Sequence, residues 1–323
     1  MTRVVVAGAS GFIGRRLVAH FREQGDEVIT IGRTSADVTW ADPGGIARAL
    51  DGAEVLVNLA GKSVNCRYTA ANRAEILRSR VDTTRELAAA IAACEQPPAL
   101  WINASTATIY RHAEDRPMGE HTGELGEGFS VDVARAWEGA FFEAELPATR
   151  RVALRIAIVL GPGGVLVPLA RLVRFGLGGA QVDGPWPSTA ARRRAGTQHV
   201  LGAPGGRQRF SWVHLDDVLG VIDFVRERHD IDGAVNVSSP HPTDNRSLMS
   251  TLRRVLRMPF GLPAYRWMLE IGSAVIRTET ELVLKSRWVV PERLEAAGYR
   301  FRYPELEPAL RSLLRPNEPI RAR

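Results

Sequence analysis

Arg3-Val4-Val5-Val6-Ala7-Gly8-Ala9-Ser10-Gly11-Phe12-Ile13-Gly14 opens the chain as an apolar run, a glycine-rich turn and the start of a helix. Glycines at 8, 11 and 14 suit a tight turn, close approach of the backbone to a pyrophosphate, and close packing of helix on strand. The free N–H groups of that helix N-terminus favour negative charge. Gly8, Ser10, Gly11, Phe12, Ile13 and Gly14 are therefore the expected cofactor contacts. A glycine-rich strand–helix turn is common by itself. Here Val28-Ile29-Thr30-Ile31 follows a helix predicted over residues 17–24 and closed by Gly25. That strand–helix–strand spacing points to a dinucleotide site.

The 323 residues are 45% hydrophobic, enough for a sizeable core, and 22 aromatic side chains argue against disorder. The opening lacks a signal-peptide apolar block, and no later run reaches the length of a membrane span. The expectation is a cytoplasmic protein with no membrane partner. Cys66 and Cys94 are the only cysteines, with no CxxC or zinc-ligand spacing, and no metal is expected. Net charge is +6, and all but two of the 42 basic residues are arginine, the exceptions being Lys62 and Lys285. The arginines are scattered among acids instead of clustered, so no nucleic-acid partner is expected.

Arg33 lies just past the second strand, where an acid would accept from the adenosine ribose and an arginine can pair with a 2′-phosphate. Gly32-Arg33-Thr34-Ser35 holds no acid. The expectation is NADP(H), with NAD(H) second. Val38-Thr39-Trp40 reads as a short third strand, with Asp42 after it near the adenine. Val55-Leu56-Val57-Asn58-Leu59-Ala60-Gly61 is an apolar strand entering small residues, and Asn58 within it needs a partner. Residues 75–94 read as a helix burying Val81, Leu87, Ile91 and Cys94.

Leu100-Trp101-Ile102-Asn103 then opens into Ala104-Ser105-Thr106-Ala107-Thr108-Ile109-Tyr110. Hydroxyls and a tyrosine at the C-terminal end of a parallel strand stand where an open α/β sheet places its chemistry. His112 and His121 lie in an aperiodic stretch that reads as a surface loop. Residues 183–205, with Arg192-Arg193-Arg194, read as an irregular insertion. Leu215-Asp216-Asp217 starts a helix with aspartate as its cap, and His214 beside it reads as structural.

These elements in this order resemble the extended short-chain dehydrogenase/reductase superfamily, and within it the atypical branch called the NAD-dependent epimerase/dehydratase-like epimerase family. The matching residues include Gly8 to Gly14, Asn58-Leu59-Ala60-Gly61, Ser79-Arg80 with Thr84 and Leu87, Ser105 to Tyr110, Trp137-Glu138 and Arg155. Val159-Leu160-Gly161-Pro162-Gly163-Gly164, Trp212-Val213-His214-Leu215-Asp216-Asp217 and residues 291–298 match too.

The resemblance implies an α/β fold, a Rossmann-like parallel sheet with helices on both faces plus a smaller C-terminal α/β substrate domain. Residues 1–165 would form the dinucleotide-binding domain, with 212–238 returning to it, and 166–211 and 239–315 the smaller one. Asn58, Leu59, Ala60, Gly61 and Arg155 join the expected cofactor contacts. Thr106 is implied as a polariser of a carbonyl or hydroxyl. The superfamily's YxxxK pair is absent, since Ser130 and Ala134 stand where it would fall and neither lysine fits by spacing. Without it, Thr106, Ser105 and Tyr110 carry the catalytic expectation, with Tyr110 as acid. The reading is an NADP(H)-binding oxidoreductase or epimerase acting on a small polar hydroxy or carbonyl substrate, with a homodimer left open. Its rival is a non-catalytic NADP(H)-binding regulator or scaffold.

Overall fold

In the computed structural model, residues 2–197, 204–275, 279 and 284–316 are described. The strands are β1 (Arg3–Ala7), β2 (Glu27–Gly32), β3 (Val38–Thr39), β4 (Val55–Asn58), β5 (Leu100–Thr106), β6 (Arg150–Ile156), β7 (Ile158–Leu160), β8 (Gln181–Val182), β9 (Arg209–Phe210), β10 (Trp212–His214), β11 (Gly233–Val237), β12 (Thr243–Asp244) and β13 (Ala264–Tyr265). The helices are α1 (Phe12–Glu23), α2 (Pro43–Leu50), α3 (Ala70–Ala92), α4 (Phe129–Phe142), α5 (Leu166–Arg174), α6 (Ala190–Arg194), α7 (Leu215–Glu227), α8 (Asn245–Leu256), α9 (Arg266–Val275), α10 (Glu292–Ala296) and α11 (Leu306–Leu314).

Seven strands form one sheet in the order β11-β6-β5-β4-β1-β2-β3, every pair parallel. The order reverses between β1 and β4, which leaves a crevice at their C-terminal ends. Successive residues of β1 feed opposite faces. Val4 and Val6 join Leu17 and Phe21 of α1 and Val221 of α7. Val5 and Ala7 join Ile46 and Leu50 of α2, Leu87 and Ile91 of α3, and Trp101, which meets Phe141 of α4 edge-on at 4.7 Å. Burial on both faces explains the unbroken apolar run, because neither face needs polar residues. Leu17 and Phe21 are fully buried, worth about 1.5–3 kcal/mol each.

A separate core joins α5, α8 and α11 with Leu160 and Trp212 of the parallel pair β7–β10. Residues 276–278 and 280–283, beyond α9, lie outside the described residues, as do 198–203 of the insertion.

Two capping expectations change. Asp42, expected near the adenine, instead caps α2 by accepting from Gly45 N at 2.8 Å. His214, not an aspartate, caps α7: its Nδ1 accepts from Asp216 N at 3.0 Å. Burial pulls the His214 pKa down to about 4, against the pull of Asp216, so the ring stays neutral and can accept.

Candidate active site

The glycine turn is built by contact. Gly8 has φ +81°, and a Cβ there would lie 2.7 Å from the Leu59 carbonyl and Ala60 N. A Cβ on Gly14 would lie 2.5 Å from Gly8 O and 2.9 Å from Ala9. Gly11, the N-cap of α1, provides no side-chain acceptor, and the first turn holds no acid. The first N–H groups of α1, with Ser10 and Gly11 exposed beside them, are thus left for an anion. Phe12 turns its ring onto the loop after β7, where Cβ atoms on Gly161 and Gly163 would approach it to 2.7 and 3.2 Å.

Asn58 holds the neighbouring edge. Its Oδ1 accepts from Ala60 N at 3.0 Å, and its Nδ2 donates to Asn103 Oδ1 at 2.7 Å, both asparagines being fully buried. Leu59 N donates to Ala7 O, tying the end of β4 to β1. Gly61 lies exposed against Arg80, whose guanidinium stacks 5.0 Å over Trp137 and donates to the carbonyls of Lys62 and Ile76. Burial pulls the Arg80 pKa down to about 10.

Arg33 is exposed beyond β2. The chain loops back so that Asp37 accepts from Thr30 N and Oγ1 at 2.8 and 2.7 Å, and the Thr30 hydrogen bonds hold its pKa below the ordinary value.

At the other end of the crevice, Ser105, Arg155 and Asn236 form one row across β5, β6 and β11. Glu138 reaches down from α4 into that row. It accepts from Ser105 Oγ at 2.5 Å and holds Arg155 through Nε and Nη2 at 2.9 and 2.8 Å. Arg155 Nη1 donates to the Tyr110 hydroxyl at 2.8 Å, which donates to Asn236 Oδ1 at 2.9 Å. Burial draws the Arg155 pKa down, but Glu138 and Tyr110 outweigh it and the net shift is upward.

Three expectations therefore change. Tyr110 is 2% exposed, its oxygen and proton are both engaged, and burial lifts its pKa despite Arg155. It is unsuited to be the acid. Ser105 is 6% exposed and commits its proton to Glu138. Arg155 spends its guanidinium on Glu138 and Tyr110 instead of offering it to a cofactor. Thr106 differs: it is half-buried, and its oxygen accepts from Thr108 N at 3.2 Å, which leaves its proton to be donated.

On α4, Ser130 is half-buried and Ala134 packs with Ala107, Ile109 and Tyr110. Lys285 comes from far along the chain: nearly buried, its Nζ lies 3.4 Å from Thr108 O, while Arg287 Nε meets Thr108 Oγ1 at 3.2 Å. Spacing could not reveal that approach, because the C-terminal segment delivers it. His112 is engaged with Ser286 N and Glu114, and His121 is exposed. Arg192 of the insertion pairs with Glu279 at 3.0 Å and Glu270 at 3.6 Å. Glu138 and Asn236 escaped the sequence reading as site residues, and a carboxylate amid the apolar residues of α4 was the signal for the first. Among the described residues, no group of three or more His, Cys, Asp or Glu could hold a metal ion, and no helix is long and apolar enough to cross a membrane.

The NAD dependent epimerase/dehydratase family profile matches residues 4–129, and a domain of unknown function, DUF1731, matches residues 266–313. The cattle (Bos taurus) epimerase family protein SDR39U1 is 32% identical, the alignment covering 97% of this chain and 99% of the relative. The human SDR39U1 isoform 2, solved with NADPH, has a TM-score of 0.81 and 26% identity, covering 97% and 99% of the two chains. A nucleoside-diphosphate sugar epimerase from Corynebacterium glutamicum has a TM-score of 0.71 and 26% identity over 97% of this chain and 58% of its own.

The expected ranking of NADP(H) above NAD(H) does not stand. MoeE5 (TM-score 0.70, 19% identity, covering 96% and 97%) and Bordetella bronchiseptica WbmG (TM-score 0.70, 16% identity, covering 97% and 92%) share the fold and were solved with NAD. NAD is at least as well supported. Physically, an exposed arginine without a fixed partner does not by itself exclude a bare ribose.

Proposed function

The chain belongs to the NAD-dependent epimerase/dehydratase family, and we propose that its crevice binds a nicotinamide dinucleotide and turns over a small, polar, sugar-like substrate at Thr106. By family it is an NAD(P)-dependent oxidoreductase or epimerase. One observation carries the placement: the uncapped N-terminus of α1, behind glycines that admit no Cβ, opens at the same sheet edge as Thr106.

Gly8, Ser10, Gly11, Phe12, Ile13 and Gly14 would hold the pyrophosphate through backbone N–H groups, and Asn58, Leu59, Ala60 and Gly61 would border it. The dinucleotide, when bound, supplies hydride chemistry. Thr106 donates a hydrogen bond to a substrate oxygen that gains negative charge in the transition state. The Glu138–Arg155–Tyr110–Asn236 network fixes β5, β6 and β11 beneath it. A sugar-like substrate is supported by the sugar-nucleotide epimerase described above.

The test incubates the protein with nucleotide sugars and NAD or NADP, following nicotinamide absorbance and product stereochemistry. Thr106→Ala should lower kcat about a hundredfold and leave dinucleotide affinity unchanged. A dinucleotide that binds but never changes redox state, with no epimer formed, would favour the regulator reading.

A further inference from the structure

The segment between α9 and α10 delivers two cations to one side chain. Its backbone is pinned on both sides. Arg287 N donates to Arg209 O at 2.9 Å, Arg287 O accepts from Ser211 N at 3.1 Å, and Trp288 O accepts from Met118 N at 2.7 Å. Ser286, fully buried, donates to Ala113 O at 3.0 Å and accepts from Arg209 N at 2.8 Å. Its neighbours Lys285 and Arg287 both turn to Thr108, Lys285 Nζ standing 3.4 Å from the Thr108 carbonyl and Arg287 Nε donating to Thr108 Oγ1 at 3.2 Å. They are 8% and 7% exposed. Lysine occurs only twice among the 42 basic residues, so its use here departs from the habit of the chain. Along residues 105–110, Ser105, Ala107, Ile109 and Tyr110 are buried, and Thr106 and Thr108 alone are half-buried. These two threonines are near enough for Thr108 N to donate to Thr106 Oγ1 at 3.2 Å. One small sugar can therefore touch both.

We propose that Lys285, Arg287 and the Thr108 hydroxyl form a subsite for an oxyanion of the substrate, a carboxylate or a phosphate, carried close to the carbon at which Thr106 acts. This rests on the reading of Thr106 as the group that meets the substrate oxygen. The donors suit an oxyanion. Lysine brings a compact charge with three rotatable donors, and arginine a planar fork that matches paired oxygens. Thr108 Oγ1 already accepts from Arg287, so its own proton is the one to donate. Electrostatics favours the same occupant. The pinned backbone keeps both cations at residue 108, and burial removes most of the water that would screen them. An oxyanion against Thr108 is attracted by two charges at once, in a place where each attraction is stronger than in water. A neutral sugar hydroxyl gains no such attraction.

The experiment measures binding to the full chain, with NAD and NADP present, of three hexoses that differ only at the sixth carbon: D-glucose, D-glucuronate and D-glucose 6-phosphate. The wild type should bind one of the two anionic sugars at least about tenfold more tightly than glucose, and the tighter one identifies the group as carboxylate or phosphate. Lys285→Met should remove that preference while glucose affinity and melting temperature stay unchanged. Arg287→Lys, which keeps the charge and loses the fork, should retain part of it. Thr106→Ala should lower turnover and keep the preference. A preference for the anionic sugar without any change of the nicotinamide would remove the catalytic reading and leave this subsite standing. A wild type that binds the three sugars alike, or none of them, overturns the proposal. So does a preference that survives Lys285→Met, or a Lys285→Met variant that weakens glucose as much as the anionic sugar, since that marks a merely structural lysine.

Discussion

Replacing Glu138 by alanine tests whether the buried network is a single unit. The change removes the carboxylate that holds Arg155 by two bonds of 2.9 and 2.8 Å and accepts from Ser105 at 2.5 Å. The paired side chains are only 10% and 12% exposed, so water cannot take over. Breaking a buried pair from one side costs about 3–5 kcal/mol. At roughly 2 °C per kcal/mol for a chain of this size, the melting temperature should fall by about 6–10 °C. Glu138→Leu with Arg155→Met removes both charges, and most of the loss should return, less about 1 kcal/mol for the Ser105 hydroxyl left without its acceptor, since Tyr110 keeps its bond to Asn236. Urea unfolding followed by tryptophan fluorescence measures Glu138→Ala, the double variant and its two singles, Glu138→Leu and Arg155→Met. A loss below about 1 kcal/mol for Glu138→Ala, or a double variant as unstable as the two singles added, would refute the reasoning.

His214 makes stability depend on pH. Its pKa of about 4 in the fold lies below the ordinary ~6.5, so the unfolded chain binds the extra proton first. Stability should therefore fall as pH drops from about 6.5 towards 4, and His214→Asn should flatten that slope in denaturation midpoints. Gly161→Val drives a side chain into the Phe12 ring and Leu215. Because Phe12 rides on the first turn of α1, dinucleotide affinity should weaken about tenfold, or 1.4 kcal/mol, by calorimetry. An unchanged dissociation constant in a folded variant would detach Phe12 from the site.

The sheet was legible because its signals are local. The run Val4-Val5-Val6-Ala7 is apolar because both faces are covered, and Gly8, Gly11 and Gly14 sit where added Cβ atoms crowd backbone. The need of Asn58 for a partner was also readable, although Asn103 as that partner was not. What escaped the sequence comes from distant pairing. Glu138, Arg155 and Tyr110 meet because α4 lies over β5 and β6, and Lys285 reaches Thr108 across 177 positions. Tyr110 looked like an acid because its residue type suits the task. Only packing reveals that its hydroxyl is already used on both sides. Arg33 does not rank the two cofactors, because an exposed arginine can border a bare ribose as well as a 2′-phosphate.

The central claim is that the glycine turn holds a nicotinamide dinucleotide. Calorimetric titration of the wild type and Gly14→Ala with NAD and NADP in both redox states tests it most directly. A Cβ at position 14 would sit 2.5 Å from Gly8 O, so even alanine must displace the turn. The account predicts that the wild type binds at least one dinucleotide with one site per chain. Gly14→Ala, still folded by circular dichroism, should bind at least about tenfold more weakly. A folded Gly14→Ala with undiminished affinity, or a wild type that binds neither dinucleotide, would contradict it.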